Sequence, residues 1–213
     1  MENKKSFKVV IFDCDGVLFD SKKANEAYYN HILGCVEQRS MDEDEVNFVH
    51  MHTADESLAY LFRHKRNIQD KADAYRSKMS YTPFIEYMEP EPYLIEILQY
   101  LRPTYKIAIS TNRTNTIGEV LSSKCLTEYF DLVVSAMDVP RPKPYPDSLY
   151  MILDHFKVGP KEVLYIGDSE VDQGAAQAAG VPLVAYKNRG LIASYHISHF
   201  QELQEMLERF ESE

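Results

Sequence analysis

The chain has 213 residues, 45% of them hydrophobic, which is enough for one sizeable domain with a smaller insertion. Its 33 acidic residues outnumber its 23 basic residues, and the formal net charge is −10. This balance argues against nucleic acid or an anionic membrane as the main partner, because binding to such surfaces needs clustered Lys and Arg. A small anionic substrate is still compatible with the sequence, since local charge can oppose the net charge.

Cysteine usage and hydropathy bear on where the protein resides. The three cysteines are widely spaced and odd in number, which predicts neither a disulfide framework nor a zinc site. The sequence has no run of about 18 apolar residues, and its first residues, MENKKSF, lack the apolar region of a signal peptide. We therefore expect a cytoplasmic protein without a membrane span or a targeting peptide.

Five short apolar runs rich in β-branched residues predict strands: KVVIF (8–12), KIAIS (106–110), LVVSA (132–136), VLYIG (163–167) and PLVAY (182–186). Their continuous hydrophobicity indicates strands buried on both faces, as in a parallel sheet. Segments with helical patterns lie between them, at Tyr93–Leu101, Thr116–Lys124, Pro146–Phe156 and Asp172–Ala179. The pattern predicts an α/β fold with an open, Rossmann-like parallel sheet, in which ligands bind beyond the carboxyl ends of the strands.

The segment from Ser21 to Tyr87 interrupts this alternation. It contains no convincing strand but three amphipathic helical patterns, KKANEAYYNHILGCVEQR, DEDEVNFVHM and ADESLAYLFRHK. Thr53 and Glu56 have the spacing of a capping box, which predicts the start of the third helix. An all-helical insertion of this size is typical of a cap lobe. We predict a cap domain at 21–87 and a core domain formed by 1–20 and 88–213.

Charged and polar residues follow four of the predicted strands: Asp13 and Asp15, then STNR (110–113), then RPKP (141–144), then Asp168, Ser169 and Asp172. The carboxyl ends of parallel strands meet at one edge of a sheet, so we expect these side chains to lie close together. Carboxylates in that number need a cation, and oxygen ligands without His or Cys favour Mg²⁺. A lysine, a hydroxyl and backbone N–H groups suit a phosphate. The set indicates phosphoryl transfer.

Four motifs occur in the order in which the haloacid dehalogenase superfamily carries them: DCDGVLFDS, STN, RPKPYPD and GDSEVD. With the helical insertion after the first motif, the chain resembles the phosphatase branch of that superfamily, close to phosphoglycolate phosphatases and β-phosphoglucomutases. Each motif alone is a weak signal, but four in order are specific. The resemblance implies a Mg²⁺-dependent phosphatase that hydrolyses a small-molecule phosphomonoester through an aspartyl-phosphate intermediate.

The resemblance also implies roles for four aspartates. Asp13 would be the nucleophile, and Asp15 would protonate the leaving alcohol and then activate water. The metal set is implied to consist of the carboxylate of Asp13, the backbone carbonyl of Asp15 and the carboxylate of Asp168. Asp172 would support the metal or its waters, and its place in the first turn of a predicted helix is compatible with that role.

Three further residues are expected to bind the phosphate. The resemblance implies that Thr111 hydrogen-bonds the transferring phosphoryl group, with Asn112 beside it, and that Lys143 neutralises the charge between this group and Asp13. The expected partner is a small phosphorylated metabolite, and the expected assembly is a monomer or a weak homodimer.

Single residues bear on which of the other functions of this fold the chain could have. Dehalogenases lack an acid two residues after the nucleophile, whereas this chain has Asp15 there. Mutases of the branch typically carry a cap histidine ten residues later, where this chain has Asn25. A phosphatase is therefore preferred, with a sugar-phosphate mutase as the alternative. A catalytically silent binding protein is a second alternative, although nucleophile and acid are both retained. The glycines supply no GxxxxGK[ST] motif for a nucleotide-driven switch.

Some residues near these motifs have a simpler interpretation. Asp20 and Asp147 are expected to be turn or helix-cap residues rather than catalytic ones. Cys14 lies between two predicted catalytic aspartates, but no activating base is apparent nearby, so we expect its thiol to fill space in the core.

Overall fold

The computed structural model describes residues 7–212. Its backbone contacts divide the chain into two compact units. The larger unit contains the segments up to Phe19 and from Pro90 onward, and the smaller unit is Asp20–Glu89. The assignment of 1–20 with 88–213 to a core domain and of 21–87 to a cap domain stays a prediction.

The strands are β1 (Val9–Phe12), β2 (Phe19–Asp20), β3 (Glu89–Pro90), β4 (Lys106–Ser110), β5 (Leu132–Val134), β6 (Val163–Gly167), β7 (Leu183–Tyr186) and β8 (Tyr195–Ile197). Six of them form one sheet in the order β5-β4-β1-β6-β7-β8, and every neighbouring pair in it is parallel. This confirms the predicted α/β fold with an open parallel sheet. The short strands β2 and β3 pair with each other.

The helices are α1 (Lys22–Cys35), α2 (Glu43–Met51), α3 (Ala54–Leu61), α4 (Arg66–Arg76), α5 (Leu94–Leu101), α6 (Ile117–Ser123), α7 (Asp147–Phe156), α8 (Glu170–Ala179) and α9 (Phe200–Ser212). The predicted helices match α1–α3 and α5–α8 to within a few residues, whereas helices α4 and α9 and strands β2, β3 and β8 lie outside the predicted elements. No helix among the described residues is both long and apolar enough to cross a membrane.

Strand β1 lies at the centre of the sheet and is buried along its whole length. Val9 and Ile11 belong to a core cluster that also contains Ile152 of α7 and Ala176 of α8. The side chain of Phe12 lies on the opposite face from that of Ile11, and its ring packs against that of Phe200 in α9, with centroids 5.9 Å apart. Helices thus cover both faces of the strand, which explains its unbroken run of apolar residues.

The smaller unit is helical. Its core cluster joins residues of α1, α2, α3 and α4, and a 3₁₀ helix at Thr82–Tyr87 follows them. Capping boxes begin two of its helices: Asp42 with Glu45 at α2, and Thr53 with Glu56 at α3. The second confirms the helix start predicted at Thr53, and in both boxes the side chains satisfy backbone N–H groups that a helix start leaves unpaired.

Candidate active site

The loop after β1 places the first two aspartates at the carboxyl edge of the sheet. The N–H of Asp13 donates to the carbonyl of Ile166 at 2.9 Å, which continues the pairing of β1 with β6. The chain then turns, with Gly16 donating to the carbonyl of Phe19 at 2.8 Å. Gly16 has φ of +78°, and a Cβ there would lie only 2.1 Å from Oδ2 of Asp168. Glycine is needed at this turn for both reasons.

Lys143 is the centre of the buried network. Its Nζ lies 2.8 Å from Oδ1 of Asp13 and 2.6 Å from Oδ1 of Asp172. It also reaches the carbonyl of Ser110 at 3.1 Å and the hydroxyl of Tyr165 at 3.0 Å. An ammonium has three N–H donors, so four acceptors surround three protons. Burial opposes the charged form, but Asp13 and Asp172 raise the pKa of Lys143 well above its usual range.

Asn112 and Thr111 hydrogen-bond to backbone groups near the site, Asn112 to those of Lys143 and Thr111 to that of Arg113. The Nδ2 of Asn112 donates to the carbonyl of Lys143 at 3.0 Å, and the N–H of Lys143 donates to Oδ1 of Asn112 at 2.9 Å. The hydroxyl oxygen of Thr111, a buried residue, accepts from the N–H of Arg113 at 3.0 Å. The Asn112 amide therefore holds the Lys143 backbone in place. Direct binding of a phosphate by Thr111 and Asn112 stays a prediction.

Asp172 is fully buried at the start of α8, where it forms a capping box with Ser169. Its Oδ2 accepts from the hydroxyl of Ser169 at 2.5 Å and from the N–H groups of Ser169 at 3.1 Å and Asp168 at 3.2 Å. Its Oδ1 accepts from Lys143 at 2.6 Å and from Tyr165 at 2.5 Å. Burial alone would raise the pKa of Asp172, but Lys143 and these hydrogen bonds hold it below its usual value.

Asp13, Asp168 and Asp172 form a cluster in which one carboxylate oxygen from each lies within 4.8 Å of the others. Burial raises the pKa of Asp13 to about 7, although Lys143 opposes the shift. Burial and the neighbouring Asp13 and Asp172 raise the pKa of Asp168 to about 8. Such shifts are typical of buried carboxylates that lie close to one another, and a set of oxygen donors alone fits Mg²⁺. Because five donors already engage Asp172, the carboxylates of Asp13 and Asp168 have the freer oxygens.

Asp15 lies outside this cluster and pairs with Arg113. Nε and Nη2 of Arg113 each lie 2.7 Å from one carboxylate oxygen of Asp15. With this pair, the four predicted aspartates are accompanied by two cationic side chains, Arg113 and Lys143. The difference of two charges is the charge of one Mg²⁺ ion, so the electrostatics of the site agree with its donor chemistry.

The aspartates predicted to be non-catalytic have structural contacts. Oδ1 of Asp20 accepts from the N–H of Lys22 at the start of α1, at 3.0 Å. Asp147 begins α7 and pairs with Arg141 at 2.9 Å. Cys14 is buried, and burial raises the pKa of its thiol well above the usual value, which agrees with the predicted role as an apolar filler.

Two parts of the network were not predicted from sequence. The hydroxyl of Tyr165 hydrogen-bonds to both Lys143 and Asp172, and the guanidinium of Arg113 hydrogen-bonds to the carboxylate of Asp15. Tyr165 interrupts the aliphatic run VLYIG, and a tyrosine in a strand buried on both faces needs a partner for its hydroxyl, so this signal was present in the sequence. Arg113 directly follows STN, but its partner lies 98 residues away along the chain.

Comparison with known proteins identifies the family. The model of the haloacid dehalogenase-like hydrolases matches residues 10–186. The crystal structure of a HAD-superfamily hydrolase, subfamily IA, variant 1, from Geobacter sulfurreducens PCA is similar with a TM-score of 0.85. It is 36% identical, over 97% of this chain and 99% of that one. The chain belongs to the haloacid dehalogenase-like hydrolase family.

The hydrolase also resembles proteins with named activities. It is 34% identical to a phosphoglycolate phosphatase of Yersinia pestis over 106 residues, which are 46% of each protein. The matched part is thus about half the length of that relative. The crystal structure of a β-phosphoglucomutase from Clostridium difficile has a TM-score of 0.75 at 18% identity, over 97% of this chain and 98% of that one. At that identity the likeness shows a shared fold alone.

Proposed function

We propose that this hydrolase is a Mg²⁺-dependent phosphatase that acts on a small phosphorylated metabolite through an aspartyl-phosphate intermediate. The observation that carries the proposal is the arrangement around Asp13. Its carboxylate stands at the end of the central strand, 2.8 Å from Lys143 and in one cluster with Asp168. The similarity to phosphoglycolate phosphatases supports a phosphomonoester as substrate.

Asp13 would attack the phosphorus atom, so that a carboxylate oxygen–phosphorus bond forms and the ester oxygen leaves with a proton from Asp15. Asp15 would then take a proton from the water that attacks the same phosphorus, which frees the Asp13 carboxylate. The i, i+2 spacing after β1 suits this division, since in extended backbone the two side chains fall on the same side.

The metal would be held by the carboxylates of Asp13 and Asp168 and by the backbone carbonyl of Asp15. Bound Mg²⁺ would supply positive charge to the phosphoryl oxygens. Asp172 would support this arrangement indirectly, because its own oxygens accept hydrogen bonds from Lys143, Tyr165 and Ser169. It thereby fixes the loop that carries Asp168.

Phosphate binding would rest on Thr111 and Lys143, with Asn112 as the residue that positions Lys143. Since Lys143 has four acceptors for three N–H donors, one of its contacts is exchangeable for a phosphoryl oxygen without leaving a donor unpaired. This would place the ammonium between Asp13 and the transferring group.

We further propose that the helical insertion is a cap that selects the leaving group. Asn25, at the position where mutases of the branch carry a histidine, lies on α1, and its Oδ1 accepts from the hydroxyl of Tyr81 at 2.9 Å. An amide there does not replace the acid–base chemistry of a histidine. The cytoplasmic location and the expectation of a monomer or weak homodimer stay predictions.

The test is a panel of phosphomonoesters, including phosphoglycolate and several sugar phosphates, assayed for phosphate release with Mg²⁺ and after EDTA. Wild type is expected to need Mg²⁺, and Asp13→Asn is expected to lose about a thousandfold or more in kcat, as nucleophile removal does in other enzymes. Asp154→Asn is the matched control, because Asp154 is an exposed residue of α7 that pairs with Lys157.

Phosphate release that persists in Asp13→Asn, or after thorough EDTA treatment, would contradict the proposal. A mutase would instead interconvert sugar phosphates and respond to a bisphosphate activator. A silent binding protein would retain a ligand from the panel and release no phosphate.

A further inference from the structure

The pair formed by Arg113 and Asp15 has a geometry that surface ion pairs rarely reach. Nε and Nη2 of Arg113 meet the two carboxylate oxygens of Asp15, both at 2.7 Å. The Arg113 side chain is 9% exposed and that of Asp15 is 32% exposed. Paired contacts of this kind fix the plane of the carboxylate as well as its position.

Arg113 is itself anchored at the end of β4. Its N–H donates to the hydroxyl oxygen of Thr111 at 3.0 Å, and its carbonyl accepts from the N–H of Ala136 at 3.0 Å. Nη1 also reaches the hydroxyl of Thr116, just before α6, at 3.3 Å. The guanidinium is therefore a fixed support rather than a mobile surface group.

We infer that Arg113 is a positioning residue that orients Asp15 for proton transfer, an inference that rests on the phosphatase function proposed above. A carboxylate offers about four lone-pair sites, of which the guanidinium takes two. Holding a catalytic group in one orientation removes the entropy cost of finding it during the reaction.

The proton balance does not involve Arg113. In the first step the proton passes from Asp15 to the ester oxygen while the phosphorus–oxygen bond breaks. In the second step Asp15 receives a proton from the attacking water while the bond between phosphorus and Asp13 breaks. The guanidinium stays protonated throughout, because arginine does not lose its proton in proteins. It can therefore hold Asp15 without competing for the proton.

The inference predicts a dependence on the leaving group. Phenyl phosphate and p-nitrophenyl phosphate are similar in size, but p-nitrophenolate leaves without the help of an acid. In Arg113→Ala we expect kcat/KM for phenyl phosphate to fall by roughly 10- to 100-fold, and that for p-nitrophenyl phosphate by less than about threefold, since a general acid contributes about 10²- to 10⁴-fold and loss of its orientation removes part of that factor. A purely structural loss would lower both by the same factor.

Four further variants make the test more specific. Asp15→Asn is expected to show the same selective loss, and the double variant Arg113→Ala with Asp15→Asn is expected to lose no more than Asp15→Asn alone, because both act through one carboxylate. Arg113→Lys is expected to recover part of the rate without the paired contacts. Arg102→Ala, which breaks the exposed pair with Asp131, is the control and is expected to match wild type.

The outcomes separate this inference from the proposed function. If wild type hydrolyses both aryl esters through Asp13, but Arg113→Ala loses both rates equally or adds its loss to that of Asp15→Asn, Arg113 does not position Asp15. If wild type hydrolyses neither the aryl esters nor any phosphomonoester of the panel above, or if Asp13→Asn retains activity, the phosphatase function itself is wrong.

Discussion

Tyr165 links the two charged ends of the buried network. Its hydroxyl donates to Asp172 at 2.5 Å, and its oxygen accepts from Lys143 at 3.0 Å. The side chain is fully buried in β6, so the hydroxyl has no access to water as an alternative partner. Its removal would leave a buried carboxylate and a buried ammonium each with one contact fewer, a costly change in a low-dielectric interior.

We therefore predict that Tyr165→Phe lowers the free energy of unfolding by about 1–3 kcal/mol, as expected when a buried hydrogen bond to a charged group is lost. Urea denaturation followed by circular dichroism measures the change. Tyr150→Phe is the matched control, because the hydroxyl of Tyr150 donates to the carbonyl of Ala178 from an exposed position, and a change within about 0.5 kcal/mol is expected there. Equal losses in both variants would refute the role of Tyr165 in the network.

At the scale of elements, the turn between β1 and β2 connects the fold to the site. It brings Asp13 and Asp15 out of the central strand and passes beside the loop that follows β6. Gly16 allows this passage, since a side chain there would collide with Asp168. Gly180, at the end of α8, has a similar φ of +69°, but apart from its chain neighbours no atom lies within 4 Å of the place where its Cβ would be.

This contrast gives a prediction with a built-in control. Gly16→Ala and Gly180→Ala are both expected to lose about 1 kcal/mol or more, because alanine disfavours the left-handed conformation. Only Gly16→Ala is expected to displace Asp168, and therefore to weaken Mg²⁺ binding measured by isothermal titration calorimetry. A Gly16→Ala variant with unchanged Mg²⁺ affinity would show that Asp168 does not depend on the close approach of this turn.

The elements that could be predicted from sequence are those with strong local signals. The five apolar runs all form strands of the sheet, and four of them are buried along nearly their whole length, whereas β5 at the sheet edge is partly buried. Strand β8 was missed since it has three residues, lies at the sheet edge and includes His196, so its pattern is weak. Helix α8 begins at Glu170, two residues before its predicted start, because Ser169 and Asp172 form a capping box there.

The same distinction holds for the candidate site, where some contacts could be predicted from the sequence and others could not. The order of the four motifs predicts that Asp13, Lys143 and Asp168 meet at one edge, and the structure brings them together. The partners of Arg113 and Asn112 depend on side-chain directions across loops distant in sequence, which periodicity and spacing do not describe. Such contacts follow only from the three-dimensional arrangement.

For the whole molecule, the excess of carboxylates couples stability to pH. The raised pKa values of Asp13, about 7, and Asp168, about 8, mean that the metal-free folded state binds more protons than the unfolded state between roughly pH 4 and 8. These two groups therefore make the fold less stable as pH rises through that window. The lowered pKa of Asp172 acts oppositely and matters only when the pH falls below its usual range.

We predict that Mg²⁺ raises the melting temperature more at pH 8 than at pH 6, because at pH 6 it must displace protons from Asp13 and Asp168. A ligand at about 100 times its Kd stabilises by about 2.7 kcal/mol, a shift that differential scanning calorimetry resolves. NaCl at matched ionic strength controls for screening of the net charge of −10. A Mg²⁺ effect equal at both pH values would argue against these two carboxylates as ligands.

The amide of Asn112 has a consequence for engineering the protein. The Asn112 side chain accepts from the N–H and donates to the carbonyl of Lys143. These two hydrogen bonds connect the segment after β4 to the segment before α7. Neither segment can be exchanged for that of a relative without disturbing the other. Chimeras that transplant the two together should keep Lys143 in place, whereas single-loop grafts should misplace it.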